Sequence, residues 1–111
     1  MTITEQFDAA KPTGERMVNY GHPADDFTRA HAIKEAVQDC EDVLLRHALE
    51  MIGVKMARLV HNPYHTDSWI DIAGYARTAC MIMDRQLQDT ENAKQNKKDV
   101  TYYEVMGKEP V

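Results

Sequence analysis

The segment His61-Asn62-Pro63-Tyr64 limits this chain's fold more than any other stretch of it. Proline lacks the amide donor that a helix interior needs, and it clashes with the carbonyl one turn back, so a helix arriving from the N-terminal side must stop here. On both sides the apolar residues recur every three or four positions. Before the break they are Leu45, Leu49 (or Ala48), Ile52, Met56 and Leu59, widened by Leu44 and Val60. After it they are Trp69, Ile72, Ala73, Ala76, Ala79, Cys80, Met83 and Leu87. Two amphipathic helices, about 41–61 and 66–88, are therefore joined by a connection too short for anything but an antiparallel hairpin.

The same periodicity predicts a helix over about 24–40, with Phe27, Ala30, Ile33, Val37 and Cys40 as its apolar stripe and Asp25 or Asp26 at its positive end. Tyr20-Gly21-His22-Pro23 ahead of it reads as a turn. Thr4 is a candidate cap for a short helix that Pro12 stops, and Thr13 to Gly21 for another. Thr66 or Ser68 is the candidate cap of the helix after the hairpin, and Ser68-x-x-Asp71 fits a capping box. Small residues at 73, 74, 76 and 79 would let a neighbouring helix come close. Beyond Asp89 the chain turns polar, and that helix is expected to fray or become a tail. With no strand signal anywhere, the expected fold is all-α: three to four helices around a central antiparallel hairpin. One domain spans 1–95, and 96–111 is a polar tail or partner-packing segment.

A chain of 111 residues has a thin core, and three amphipathic helices cannot mutually bury Trp69, Leu44-Leu45 and Met81-Ile82-Met83. A homo-oligomer is expected. The formal net charge of -5 argues against duplex nucleic acid as a partner. No apolar run reaches the roughly 20 residues of a membrane span, and the N-terminus has no signal-peptide pattern. Cys40 and Cys80 fall in no CxxC motif and are expected to be reduced and packed, so the expected location is cytoplasmic.

The hairpin also concentrates chemistry. His47, Met51, Lys55, Arg58 and Asn62 share one face of the helix before the break, and Asp67, Asp71, Tyr75 and Thr78 share one face of the helix after it. Antiparallel packing lets the two cations meet the two aspartates. Such facing charges can be a salt-bridge lattice that fixes helix register. The crowding of His61, Tyr64, His65 and Trp69 at the same end exceeds what register requires. Cations for phosphate, carboxylates for ribose or metal, and rings for a base suit a nucleotide-type small molecule. The candidate ligand-binding residues are His22, Lys55, Arg58, His61, His65, Asp67, Trp69, Asp71 and Tyr75. His61 and His65 have the spacing of a metal pair, but Pro63 breaks the helix that would align them, so no metal ligand is assigned.

Tyr20-Gly21-His22-Pro23, Phe27, Lys55-Met56-Ala57-Arg58-Leu59, His61-Asn62-Pro63 and Asp67-Ser68-Trp69-Ile70-Asp71-Ile72-Ala73-Gly74-Tyr75-Ala76 together resemble a family of small all-α bacteriophage proteins, over about residues 13–80. That family is distantly similar to the MazG-like all-α nucleoside triphosphate pyrophosphohydrolases, helical oligomers that use magnesium. The resemblance implies a phage-encoded protein in an infected host. Those enzymes carry an EExxE carboxylate group facing an ExxD-type group. Asp67 and Asp71 match the second, whereas Lys55 and Arg58 stand where the first would be. The expectation is a binder of a phosphate-bearing, nucleotide-derived ligand without a cofactor, one use of which would be to sequester a host nucleotide signal. The alternatives are a magnesium-dependent pyrophosphohydrolase using Asp67 and Asp71 with Glu50 or Asp42, and a purely structural or partner-binding helical protein.

Overall fold

The computed structural model of the protein describes residues 2–8 and 19–96. Within the described residues lie α1 (Ile3–Asp8), α2 (Pro23–Val37), α3 (Val43–His61) and α4 (Thr66–Asn96). The all-α expectation holds, and no strand occurs among the described residues. The helix expected to start at Thr13 lies outside the described residues except for its last turn at Asn19 and Tyr20, and so does the segment 97–111.

Local chemistry sets each boundary. Thr2 Oγ1 accepts from the Glu5 amide (3.1 Å) while Glu5 Oε2 accepts from the Thr2 amide (3.0 Å), a reciprocal cap two residues earlier than Thr4. His22 caps α2 through Nδ1, which accepts from the Ala24 amide at 3.1 Å, and Pro23 occupies the first helical position. Asp42 caps α3, accepting from the Leu45 amide at 2.9 Å, so that helix starts at Val43 rather than Glu41. The capping box expected at Ser68 does not form. Helix α4 starts at Thr66, placing Ser68 inside its first turn, and Asp71 is taken by Lys55 instead. The far end of α4 also departs from expectation. Its backbone stays helical through the polar residues to Asn96.

Helix α3 is the centre of the arrangement. It packs on α2 along one side and on α4 along the other, and among the described residues the backbones of α2 and α4 do not come close to each other. Both seams are antiparallel: Gln38 meets Glu50 and Ile33 meets Gly53 in the first, Asp42 meets Gln86 and Lys55 meets Asp71 in the second. The buried apolar residues, Ala48, Ala57 and Leu59, all lie on α3, as does the buried Gly53.

This redistributes the apolar stripes. Ala48, Gly53 and Ala57 have small side chains, or none, so the neighbouring helices approach at those positions and close over them. Leu44, Leu49, Met56 and Val60, expected in the stripe, are pushed to the exposed flanks. On α2, Asp26 is buried at 6% exposure while Phe27, expected in the stripe, is 71% exposed. Ala30, Ile33, Val37 and Cys40 of the expected stripe are half-buried, so the helix keeps that face inward and departs from it only in its first turn, at Phe27.

Candidate functional site

The turn that starts α2 builds the site. Gly21 has φ +77°, and a Cβ there would stand 2.9 Å from the His61 ring. Only glycine supplies both that backbone conformation and that clearance. The close approach lays Tyr20 over the C-terminal end of α3. The Arg58 guanidinium carbon sits 4.3 Å from the centre of the Tyr20 ring, a cation–π contact. The His65 ring meets the same tyrosine edge-on, 5.4 Å between centroids and 87° between planes. His65 Nδ1 lies 2.8 Å from Ser68 Oγ, and Ser68 is fully buried. The hairpin thus hands its histidine to a tyrosine from another part of the chain, and the serine orients the imidazole.

One turn further along α3, Lys55 Nζ binds Asp71 Oδ2 at 2.9 Å. The lysine is 14% exposed and the aspartate 46%. This pair is the facing of cation and carboxylate that the hairpin's spacing suggested. Arg58 is different. It is half-buried, its Nε is shielded from solvent without a hydrogen-bond partner, and among the described residues no carboxylate lies within ion-pair distance of it. Two more shielded polar atoms lack a hydrogen-bond partner: Asp26 Oδ1 and Arg29 Nη1, both on α2. In the antiparallel register of Ile33 with Gly53 and Gly21 with His61, Asp26 and Arg29 fall level with the last two turns of α3, where Arg58 is. Buried charged groups ordinarily find partners, because leaving one unmatched costs about 1–3 kcal/mol or more. All three atoms fall at the same end of the α2–α3 seam.

The other candidate residues are dispersed. His22 spends Nδ1 on the helix cap. His61 is exposed and packs its ring against Gly21. Asp67 is exposed, and Tyr75 is half-buried on the α3 side of α4. Trp69 belongs to the opposite flank. Its indole N–H donates to the Pro63 carbonyl at 2.9 Å, and its ring lines an apolar groove of 420 Å³ with Ile52, Met56, Leu59, Val60, Pro63 and Ile72. Met56 and Val60 point about 160–200° around α3 from Arg58. The tryptophan therefore does not stack beside the cations. Tyr20, Asp26 and Arg29 were not among the sequence candidates. Tyr20 was visible in the turn motif, but nothing in spacing tied it to a helix some forty positions away.

Residues 8–83 match a domain of unknown function, DUF6378. The chain belongs to that family. The DUF6378 match contains the Tyr20 turn, the cationic face of α3 and the first turns of α4, and ends within α4. A stretch of 63 residues, 57% of this chain, is 40% identical to the Gene 55 protein of Mycobacterium phage D29 and covers 42% of that protein's length. The chain thus spans less than half of its phage relative. No solved structure matches it. The resemblance carried by the Tyr20–Pro23, Phe27, Lys55–Leu59, His61–Pro63 and Asp67–Ala76 motifs thus corresponds to a family of unknown function, and the chain is similar to a phage protein. Among the described residues no helix is long and apolar enough to cross a membrane, and no three His, Cys, Asp or Glu side chains come together to hold a metal ion.

Proposed function

We propose that the Tyr20–Arg58–His65 end of α3 binds a phosphate-bearing, nucleotide-derived ligand without hydrolysing it. The observation that carries this reading is Arg58. A half-buried guanidinium, oriented by a tyrosine face and unmatched by any carboxylate among the described residues, keeps donors for an anion. Arginine is the side chain best shaped to grip phosphate oxygens two at a time. Asp26 and Arg29 extend the same end of the seam with an acceptor and a second cation. Tyr20 and His65, rather than Trp69, supply ring surface.

Lys55 and Asp71 play a lesser part in this reading. Their 2.9 Å contact favours a register role, and the pair steadies the helix that carries Arg58. Binding without turnover is supported by the engagement of Asp71 with Lys55, which leaves Asp67 as an exposed carboxylate rather than half of a facing set. The alternative, a magnesium-dependent pyrophosphohydrolase, predicts release of pyrophosphate in magnesium and none in chelator.

Calorimetric titration with ATP in chelator tests the proposal, with pyrophosphate as the phosphate-only control. The expected result is binding that Arg58→Ala weakens at least tenfold while the melting temperature moves by only a few degrees. Unchanged affinity in Arg58→Ala, or magnesium-dependent turnover lost in Asp71→Asn, would overturn it.

A further inference from the structure

Helix α4 carries two apolar stripes, and α3 covers only one of them. The covered stripe includes Ser68, Ile72, Tyr75, Ala79 and Ile82, all buried or half-buried. The second runs Trp69, Ala73, Ala76, Cys80, Met83, Leu87, and every residue of it is exposed. Its spacings alternate four and three without a break and without a charge. That is the seam pattern by which one helix packs along another. Arg77, which flanks it, lays its guanidinium on the Met81 sulfur at 3.1 Å, along the helix rather than across the stripe. The stripe continues into the apolar groove through Trp69 and reaches the exposed Met56 and Val60 of α3.

We infer that a second copy of this chain covers the stripe, its α4 antiparallel to the first about a twofold axis between Ala76 and Cys80. The order of side-chain sizes carries the direction. Reversed on itself, the stripe sets Trp69 against Leu87, Ala73 against Met83 and Ala76 against Cys80. The largest side chain, Trp69, meets the smaller Leu87, each Met83 meets an alanine, and the small centre lets the backbones close. A parallel pair would set tryptophan on tryptophan and alanine on alanine, alternately too full and too empty. Trp69, Met83, Leu87, Met56, Val60 and Leu49 are 37–64% exposed. At about 150–250 Å² for a full aromatic side chain, and less for the aliphatic ones, they offer roughly 500–700 Å². The alanines and Cys80 bring this near the about 800 Å² per partner of a stable interface. The stripe faces away from the Lys55–Asp71 pair, so both copies keep the Arg58 face open, and the dimer stands or falls independently of the proposed ligand.

Sedimentation at tens of micromolar should return twice the 12.7 kDa chain mass. Ala76→Glu, an exposed position given a good helix former, should return the single-chain mass with helical circular dichroism unchanged. Direction is read by oxidation in a Cys40→Ser background. Ala76→Cys should cross-link to the partner's Cys80, and Cys80 alone should not link to its own equivalent. A single-chain mass for the wild type overturns the proposal and leaves the stripe to a different protein. A dimer that survives Ala76→Glu overturns the surface. Cross-linking through Cys80 alone, without gain from Ala76→Cys, overturns the antiparallel arrangement.

Discussion

The two seams of α3 are built by opposite means. Between α3 and α4 polar groups find one another. Lys55 meets Asp71, Gln86 donates to Asp42 at 2.7 Å, and at the hairpin Trp69 is tied to Pro63 and His65 to Ser68. Between α2 and α3 the fit is mainly steric. Ile33 presses on the bare backbone of Gly53 and His61 on that of Gly21, while Asp26 Oδ1, Arg29 Nη1 and Arg58 Nε go without hydrogen-bond partners. At the far end Gln38 donates to Glu50 at 2.9 Å and Arg46 donates to the Cys40 carbonyl at 3.2 Å. Matched polar contacts specify a register, whereas close backbone approach specifies a distance and leaves charges over.

The sharpest way to break this contrast is to spoil the steric seam. A Cβ on Gly53 would stand 2.7 Å from Ile33 Cγ2, at the branch of a stiff side chain. Gly53→Leu should therefore cost about 3 kcal/mol by overpacking, read as a lower denaturant midpoint. A neutral result would mean that α2 is loosely held. Next comes the matched seam. Asp71→Ala leaves Lys55, 14% exposed, without its counter-ion and should cost about 1–2 kcal/mol, discounted from a fully buried pair because Asp71 itself is half in water. Asp71→Asn, which keeps a hydrogen-bonding group, should cost less. Equal losses would show that charge rather than contact matters there.

A glycine away from both seams gives the opposite sign. Nothing lies within 4 Å of a Cβ built on Gly74, so Gly74→Ala should stabilise the protein by up to about 1 kcal/mol through helix propensity alone. Destabilisation, seen as a lower melting temperature, would reveal a neighbour packed on that face.

The smallest effect concerns pH. The Gln38 side-chain amide, donating to Glu50, holds the Glu50 carboxyl below the ordinary glutamate value, with Lys34, His47 and Arg46 contributing the same way against desolvation. A carboxyl lowered in the folded state stabilises fully above its unfolded value, and loses that contribution as pH falls through its folded value. Wild-type stability should therefore lose a small contribution between about pH 5 and 3, and Gln38→Ala should reduce that slope. An identical slope in the variant would assign it to other carboxylates.

Much of this protein is legible residue by residue. The proline break, the three- and four-residue spacings, the glycine of the Tyr20–Pro23 turn and the meeting of Lys55 with Asp71 follow from local geometry, because a helix repeats its faces whatever it packs against. What periodicity cannot rank is two apolar faces on the same helix. Leu49, Met56 and Val60 are more hydrophobic than Ala48, Gly53 and Ala57, yet the seams form over the small residues, because packing rewards close approach as well as hydrophobicity. The same choice turned Asp26 inward, set Phe27 outward and sent Trp69 to the apolar flank. Tyr20 joined Arg58 and His65 only because a glycine let two distant turns touch. Spacing along one chain determines which side chains share a helix face. Which face is buried, and which residues from elsewhere meet it, is decided by the fit between helices.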